Sequence, residues 1–181
     1  PLVAALECRH EVVPASLHKS RERVDIADPG SIRALFARVG KVNAVVCAAG
    51  DARFKPFATL TDEDFAASIA SKLMGQVNVV RYGVDAITPG GAIAITSGVL
   101  AHKPMPSAAA VSLVNGGLES FTRAAALEQQ GRLRVNCISP PWIAETLAAM
   151  GQQLWNAMTA AQCAAIYASA IEGSQSGQIL A

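Results

Sequence analysis

The sequence predicts a doubly wound parallel α/β sheet, and three observations carry that prediction. Just over half of the 181 residues are hydrophobic (51%) and only 16% are charged, well under the share of about a quarter usual for soluble domains. Such a balance suits a central sheet covered on both faces. Short apolar runs alternate with amphipathic segments of helical period, the pattern of successive strand–helix units in a parallel sheet. One run, Val42 to Gly50, is almost wholly apolar and ends in small residues. That is how a strand buried on both faces reads, and small residues at its end allow close approach to the backbone. The length is that of one domain spanning 1–181.

Taken in order, Leu2, Val3, Ala5 and Leu6 mark the tail of a helix. Glu11–Ser16 and Arg23–Asp28 read as short strands, Val24 and Ile26 sharing a face. Asp28 or Ser31 can cap the next helix, whose buried stripe is Ile32, Leu35 and Phe36 and which stops at Gly40. Thr61 with Asp64 forms a capping box for a long helix carrying Phe65, Ile69, Leu73, Val77 and Val80, ending before Pro89-Gly90-Gly91. The run Gly91–Ser97 is a strand, Ala108 to about Gln130 a helix striped by Val111, Val114, Leu118, Phe121 and Ala125, and Val135–Ser139 a strand. Two short helices near Ile143–Met150 and Ala160–Ile171 and a last strand, Gln178–Ala181, complete the chain.

Several function classes are disfavoured at this level. A net charge of +1 gives no basic field for nucleic acid. No apolar run reaches the roughly 18 residues of a membrane span. Four cysteines without a CxxC pair show no metal-like spacing and fit buried small hydrophobes in a reduced, cytoplasmic setting.

In this order and spacing the segments resemble the short-chain dehydrogenase/reductase family. The resemblance rests on Asp25-Ile26, Cys47-Ala-Ala-Gly50, Ala94-Ile-Thr-Ser97, Arg134-Val-Asn-Cys-Ile-Ser-Pro-Pro141-Trp142-Ile143 and Gly177-Gln-Ile-Leu180. It implies a Rossmann-like three-layer α/β/α domain binding a nicotinamide dinucleotide. The family's first strand and Gly-rich phosphate turn would lie before Pro1. By the resemblance Asp25 and Ile26 meet the adenine, while Cys47, Ala48, Ala49, Gly50 and Pro140 line the cofactor. Ser97 stands as the catalytic Ser.

The family's other catalytic positions are changed. Val111 occupies the Tyr position, Asn115 the Lys position and Lys72 the Asn position. Val111 cannot transfer a proton, and Asn115 can hydrogen-bond a nicotinamide ribose but carries no charge to lower a neighbour's pKa. The sequence is thus similar to a subgroup with a degenerate active site. Lys72 can supply the missing positive charge or act as an unusual acid, or else snorkel to solvent or pair with a carboxylate. Ser97 can contact a ligand or merely cap the next turn. His102 is a proton donor, a substrate contact or a solvated loop residue, and Tyr82 packs or caps. The segment Ser16-Leu17-His18-Lys19-Ser20-Arg21 holds no acid and three potential cations. If it binds a cofactor, Ser16, His18 and Lys19 favour the 2′-phosphate of NADP(H), with NAD possible; a surface charge cluster is the other reading. The implied function is a nominal NADP(H)-dependent oxidoreductase; the alternatives are a non-catalytic dinucleotide-binding sensor or interaction module, and a chain that binds nothing. A homodimer or homotetramer through the two long helices is expected.

Overall fold

The computed structural model describes residues 1–149, 151–152 and 157–181. Its elements are α1 (Leu2–Leu6), β1 (Ala15–Ser16), β2 (Glu22–Arg23), α2 (Pro29–Val39), β3 (Val42–Val46), α3 (Asp62–Ser68), a π-helical segment (Ile69–Met74) and α4 (Gly75–Gly83). After them come β4 (Ile87–Thr96), a short 3-10 turn (Val99–Ala101), α5 (Ala109–Glu128), β5 (Arg134–Ile138), α6 (Ala144–Ala149), α7 (Ala160–Glu172) and β6 (Ile179–Leu180). All described strand pairs are parallel: β3-β4-β5-β6 form one sheet, and β1-β2 pair separately.

Side-chain alternation divides the core. Val45, Ile93, Ile95, Val135 and Cys137 face α2, α4 and α5, meeting Ile32, Val80 and Leu118. Val46, Ala94 and Ile138 face the other way, onto α7 and Leu2 of α1. The expected three layers are therefore present. A third, smaller apolar cluster of Leu100, Ala108 and Val111 sits with Ala52, Val99 and Trp142, outside the strand C-termini.

The caps follow local chemistry. Asp28, not Ser31, caps α2, its carboxylate accepting from the Gly30 N–H, and Thr61 with Asp64 makes the full capping box at α3. Four expectations are corrected. The first two strands are only two residues long. Asp25 turns the chain instead: its Oδ1 accepts from the Ala27 N–H, and its own N–H donates to Ser31 Oγ. The run Val42–Gly50 is strand only to Val46; its remainder leaves the sheet, although the Cys47 N–H still donates to Ala94 O. β4 begins at Ile87 and runs through Pro89 and Gly90, with a register shift against β3 between Val42 and Ala44; Asn43 Nδ2 donating to Thr88 Oγ1 holds that irregular end. Lastly, the long helix from Thr61 is not continuous α but widens to π at Ile69–Met74, a form that recurs at functional sites. The helix expected near Ile143–Met150 is α6; Met150 itself lies outside the described residues.

Candidate functional site

Several of the residues singled out by sequence lie around the ends of β3, β4 and β5. The chain leaving β3 through Ala48 and Ala49, both exposed, is laid along the π segment by two hydroxyls. The Asp51 N–H donates to Ser71 Oγ and the Arg53 N–H to Ser68 Oγ, each at 3.0 Å. Gly50 meets that segment directly. Its φ is +117°, and a Cβ there would stand 2.8 Å from Lys72 Cα. Only glycine satisfies both constraints.

Lys72 is thereby fixed at the mouth of the sheet, half-buried. Burial lowers its pKa from the usual lysine value, opposed by Cys137, Cys47 and Asp51. Among the described residues it forms no ion pair. The expected alternative of pairing with a carboxylate is absent there.

Asn115 on α5 is 2% exposed. Its Nδ2 donates to Gly98 O at 3.3 Å, and a Cβ at Gly98 would lie 3.2 Å from that nitrogen. Its Oδ1 is buried without a hydrogen-bond partner. Such an acceptor costs about 1–3 kcal/mol unless a donor reaches it. Val111, two-thirds of the way back toward the start of α5, belongs to the apolar cluster with Trp142, and the Trp142 ring lies 6.0 Å from that of Phe54.

Ser97 is corrected. Strand alternation sends it toward α5, where its hydroxyl donates to Glu119 Oε1 at 2.9 Å, and it is 4% exposed. It neither opens into the cleft nor caps the following turn; Gly98 is the residue beside Asn115. Glu119 is the feature sequence reading missed. This buried carboxylate also accepts from Ser139 Oγ at 2.9 Å, and its Oε2 lies 2.5 Å from His102 Nε2. His102 is thus a paired residue whose ring remains half-exposed. The available signal was an acid at helical spacing from Asn115, next to Leu118 on the buried stripe of α5. A second missed group is Tyr167. Thr96 Oγ1 donates to Cys47 O at 2.7 Å, so the Tyr167 hydroxyl, 2.6 Å away, donates to Thr96. Burial raises the Tyr167 pKa, and its hydroxyl sits on the α7 face. Tyr82 packs, with the Arg33 and Arg81 guanidinium groups over its ring.

The remaining expected residues lie on the β1–β2 side. Ser16 Oγ accepts from the N–H groups of Lys19 and Ser20, folding a turn on which His18 and Lys19 are exposed. Asp25 is exposed, and Ile26 is buried in the core beneath it. Pro140 O accepts from the Val99 N–H at 3.0 Å. Among the described residues no cluster of His, Cys, Asp and Glu is arranged to hold a metal ion.

A parallel sheet that gathers its glycines and polar side chains at the strand C-termini has the design of the nucleotide-binding doubly wound proteins. The comparisons narrow this. The family model described as Enoyl-(Acyl carrier protein) reductase matches residues 5–173, and the chain belongs to this family of short-chain dehydrogenase/reductases. The protein lin1944 from Listeria innocua is 32% identical, with a TM-score of 0.94 over 99% of this chain and 90% of that one. A small-chain dehydrogenase solved in complex with NADPH superposes with a TM-score of 0.83 at 23% identity, over 99% of this chain and 88% of that one. The hydroxynaphthalene reductase arp2 of Aspergillus fumigatus is 32% identical over 111 residues, 60% of this chain and 40% of that protein. The chain therefore matches less than half the length of that curated relative.

Proposed function

We propose that this chain is a dinucleotide-binding domain of an NADP(H)-linked oxidoreductase of the short-chain type, with NAD possible, in which Lys72 provides the positive charge of the reactive site. The observation that carries the proposal is Lys72 itself, half-buried at the sheet mouth, packed on Gly50 and free of ion pairs among the described residues. The residues present fit a dinucleotide. Gly50 and the exposed Ala48 and Ala49 admit close approach, Asn115 offers an unpaired carbonyl, and the Ser16–Arg21 turn presents His18 and Lys19 with no carboxylate. The NADPH in a structural neighbour supports the choice of cofactor. When bound, the dinucleotide supplies or accepts hydride. Lys72 favours negative charge on an oxygen bound beside it. Val111, Leu100 and Trp142 form an apolar side that suits an uncharged, ring-bearing substrate; the fungal relative is named for a hydroxynaphthalene.

A second reading, a sensor that binds the dinucleotide without chemistry, is favoured by one observation: Val111 is apolar and the Ser97 proton is committed to Glu119. General acid–base catalysis contributes about 10² to 10⁴-fold, so the loss of both groups slows family-type turnover strongly. The reading further places the protein in the cytoplasm as a homodimer or homotetramer; no helix among the described residues is long and apolar enough to cross a membrane.

Fluorescence titration of the purified protein with NADPH and NADH is the test. Saturable binding with NADPH preferred, and turnover in a carbonyl-substrate screen that Lys72→Ala abolishes, is the expected result. Unchanged affinity and turnover in Lys72→Ala would remove Lys72 from the reaction, and binding without turnover would favour the sensor.

A further inference from the structure

Lys72 brings an amine into a place that offers it no close counter-ion. The Gly50 turn packs on the root of its side chain: a Cβ at Gly50 would lie 2.8 Å from Lys72 Cα, 3.3 Å from its Cβ and 3.4 Å from its Cγ. Among the described residues no carboxylate pairs with it. The ionisable groups whose fields reach it are Cys137, Cys47 and Asp51. Both thiols are buried, and burial raises their pKa values, so near neutral pH they are uncharged. Asp51 is exposed, and solvent screens it. Desolvation therefore dominates at Lys72 and favours its neutral form. A neutral, desolvated lysine amine is a nucleophile toward carbonyl carbon.

An apolar wall adjoins this amine. The Asp51 and Arg53 N–H groups are tied to Ser71 and Ser68. Ala52, between them, packs in the cluster of Leu100, Ala108, Val111 and Trp142. One short stretch of chain thus carries both the contact with Lys72 at Gly50 and the start of the apolar cluster at Ala52.

We propose that Lys72 is a covalent carbonyl site, its free amine condensing with an uncharged aromatic aldehyde or ketone seated against Ala52, Val111 and Trp142 to form a reversible Schiff base. The nitrogen lone pair attacks the carbonyl carbon, the carbonyl π pair moves to oxygen, and one proton passes from nitrogen to that oxygen. The carbinolamine then loses its hydroxyl together with the second nitrogen proton as water, leaving a C=N bond. Amine and carbonyl thus give imine and one water, with no oxidant or reductant. Protonated, the imine keeps the positive charge that Lys72 brings to the proposed function. The proposal rests on that reading for the place of the substrate, and needs no bound dinucleotide.

The test is reductive trapping. The purified protein is incubated near neutral pH with 2-naphthaldehyde and sodium cyanoborohydride, which delivers hydride to an imine and fixes it as a secondary amine. Peptide mass mapping then locates the adduct. The chain has five lysines. Lys19 and Lys103 are exposed, the Lys41 amine donates to Asp85 O, and Lys55 pairs with Asp64. The first lysine to carry the adduct is Lys72. Lys72→Met, which keeps the stem against Gly50, and Lys72→Arg, which keeps the charge, both lose that adduct and leave labelling of the other four unchanged. Glyoxylate, a charged aldehyde with no apolar body, labels the lysines without this preference. Adduct on the exposed lysines with none on Lys72, or the same preference for Lys72 with glyoxylate, would overturn the proposal. NADPH titration of the same preparation separates the two readings. Binding of NADPH without trapping at Lys72 overturns the Schiff base alone, whereas trapping without NADPH binding supports it and overturns the dinucleotide reading.

Discussion

Replacing Gly50 by alanine is the perturbation with the most to say about the site. At φ +117° an L residue is strained, a cost of about 1–3 kcal/mol. The added methyl also meets the Lys72 backbone at 2.8 Å. Backbone does not yield like the end of a flexible side chain, and overpacking of this kind costs about 1–3 kcal/mol more. The sum is roughly 2–6 kcal/mol. For a chain of this size that lowers Tm by roughly 4–24 °C. Urea unfolding followed by far-UV circular dichroism, with calorimetry for Tm, reads the effect. Gly116→Ala is the internal control: the same methyl inside α5 meets nothing within 4 Å, and the helix gains about 0.5–1 kcal/mol. If Gly50→Ala unfolds at the wild-type midpoint, the close packing of the Gly50 turn on Lys72 is refuted, and with it the placement of Lys72.

Glu119→Leu strips the acceptor from two buried hydroxyls, those of Ser97 and Ser139, and a partner from His102; each buried donor left unsatisfied costs about 1–3 kcal/mol, and a variant as stable as wild type in urea would contradict it. The Lys55 ammonium, 2.7 Å away, is the main reason Asp64 sits below the usual carboxylate range. Asp64 therefore contributes stability that is complete above the ordinary carboxylate pKa and is lost as pH falls through its own lower one; in Lys55→Met an NMR titration should find Asp64 shifted upward. Of the four thiols, Cys8 is exposed, whereas Cys47, Cys137 and Cys163 are buried and their pKa values raised chiefly by that burial. One thiol should react quickly with a disulfide reagent in the native protein and the other three only on unfolding; two fast thiols would contradict the burial.

The layered fold was legible because it is written in periods: Ile93 and Ile95 against Ala94, or Ile32 with Phe36, reach their faces through alternation or helical spacing alone. The caps at Asp28 and Thr61 were equally local. The candidate site was legible only as a position in the fold, the end of β3 and the two helices over it, because Gly50, Lys72, Val111 and Asn115 are placed by strand and helix position. What escaped depends on contacts distant in sequence. The family resemblance places Ser97 at the catalytic Ser, but its direction is set by parity along β4 and by Glu119, 22 residues on. His102 has the sequence of a solvated loop residue, and only the fold brings a buried carboxylate to it. The π widening at Ile69–Met74 is invisible to a helical period that continues through it. The sheet likewise absorbs Pro89 and Gly90, which read as punctuation, at an irregular strand end.

One polar contact shapes the mouth of the sheet. β4 outlasts β3, and the backbone of Thr96 has no strand beside it on that side. Gln76 of α4, fully buried, fills the place: its Nε2 donates to Thr96 O at 2.8 Å, and its Oε1 accepts the Thr96 N–H at 2.7 Å. The side-chain amide is a surrogate peptide unit, a strand one residue long supplied by a helix. β3 is therefore released to swing away after Val46 without stranding the polar groups of its neighbour. The width of the opening at which a ligand would enter is governed by a glutamine on the layer above rather than by the length of any strand.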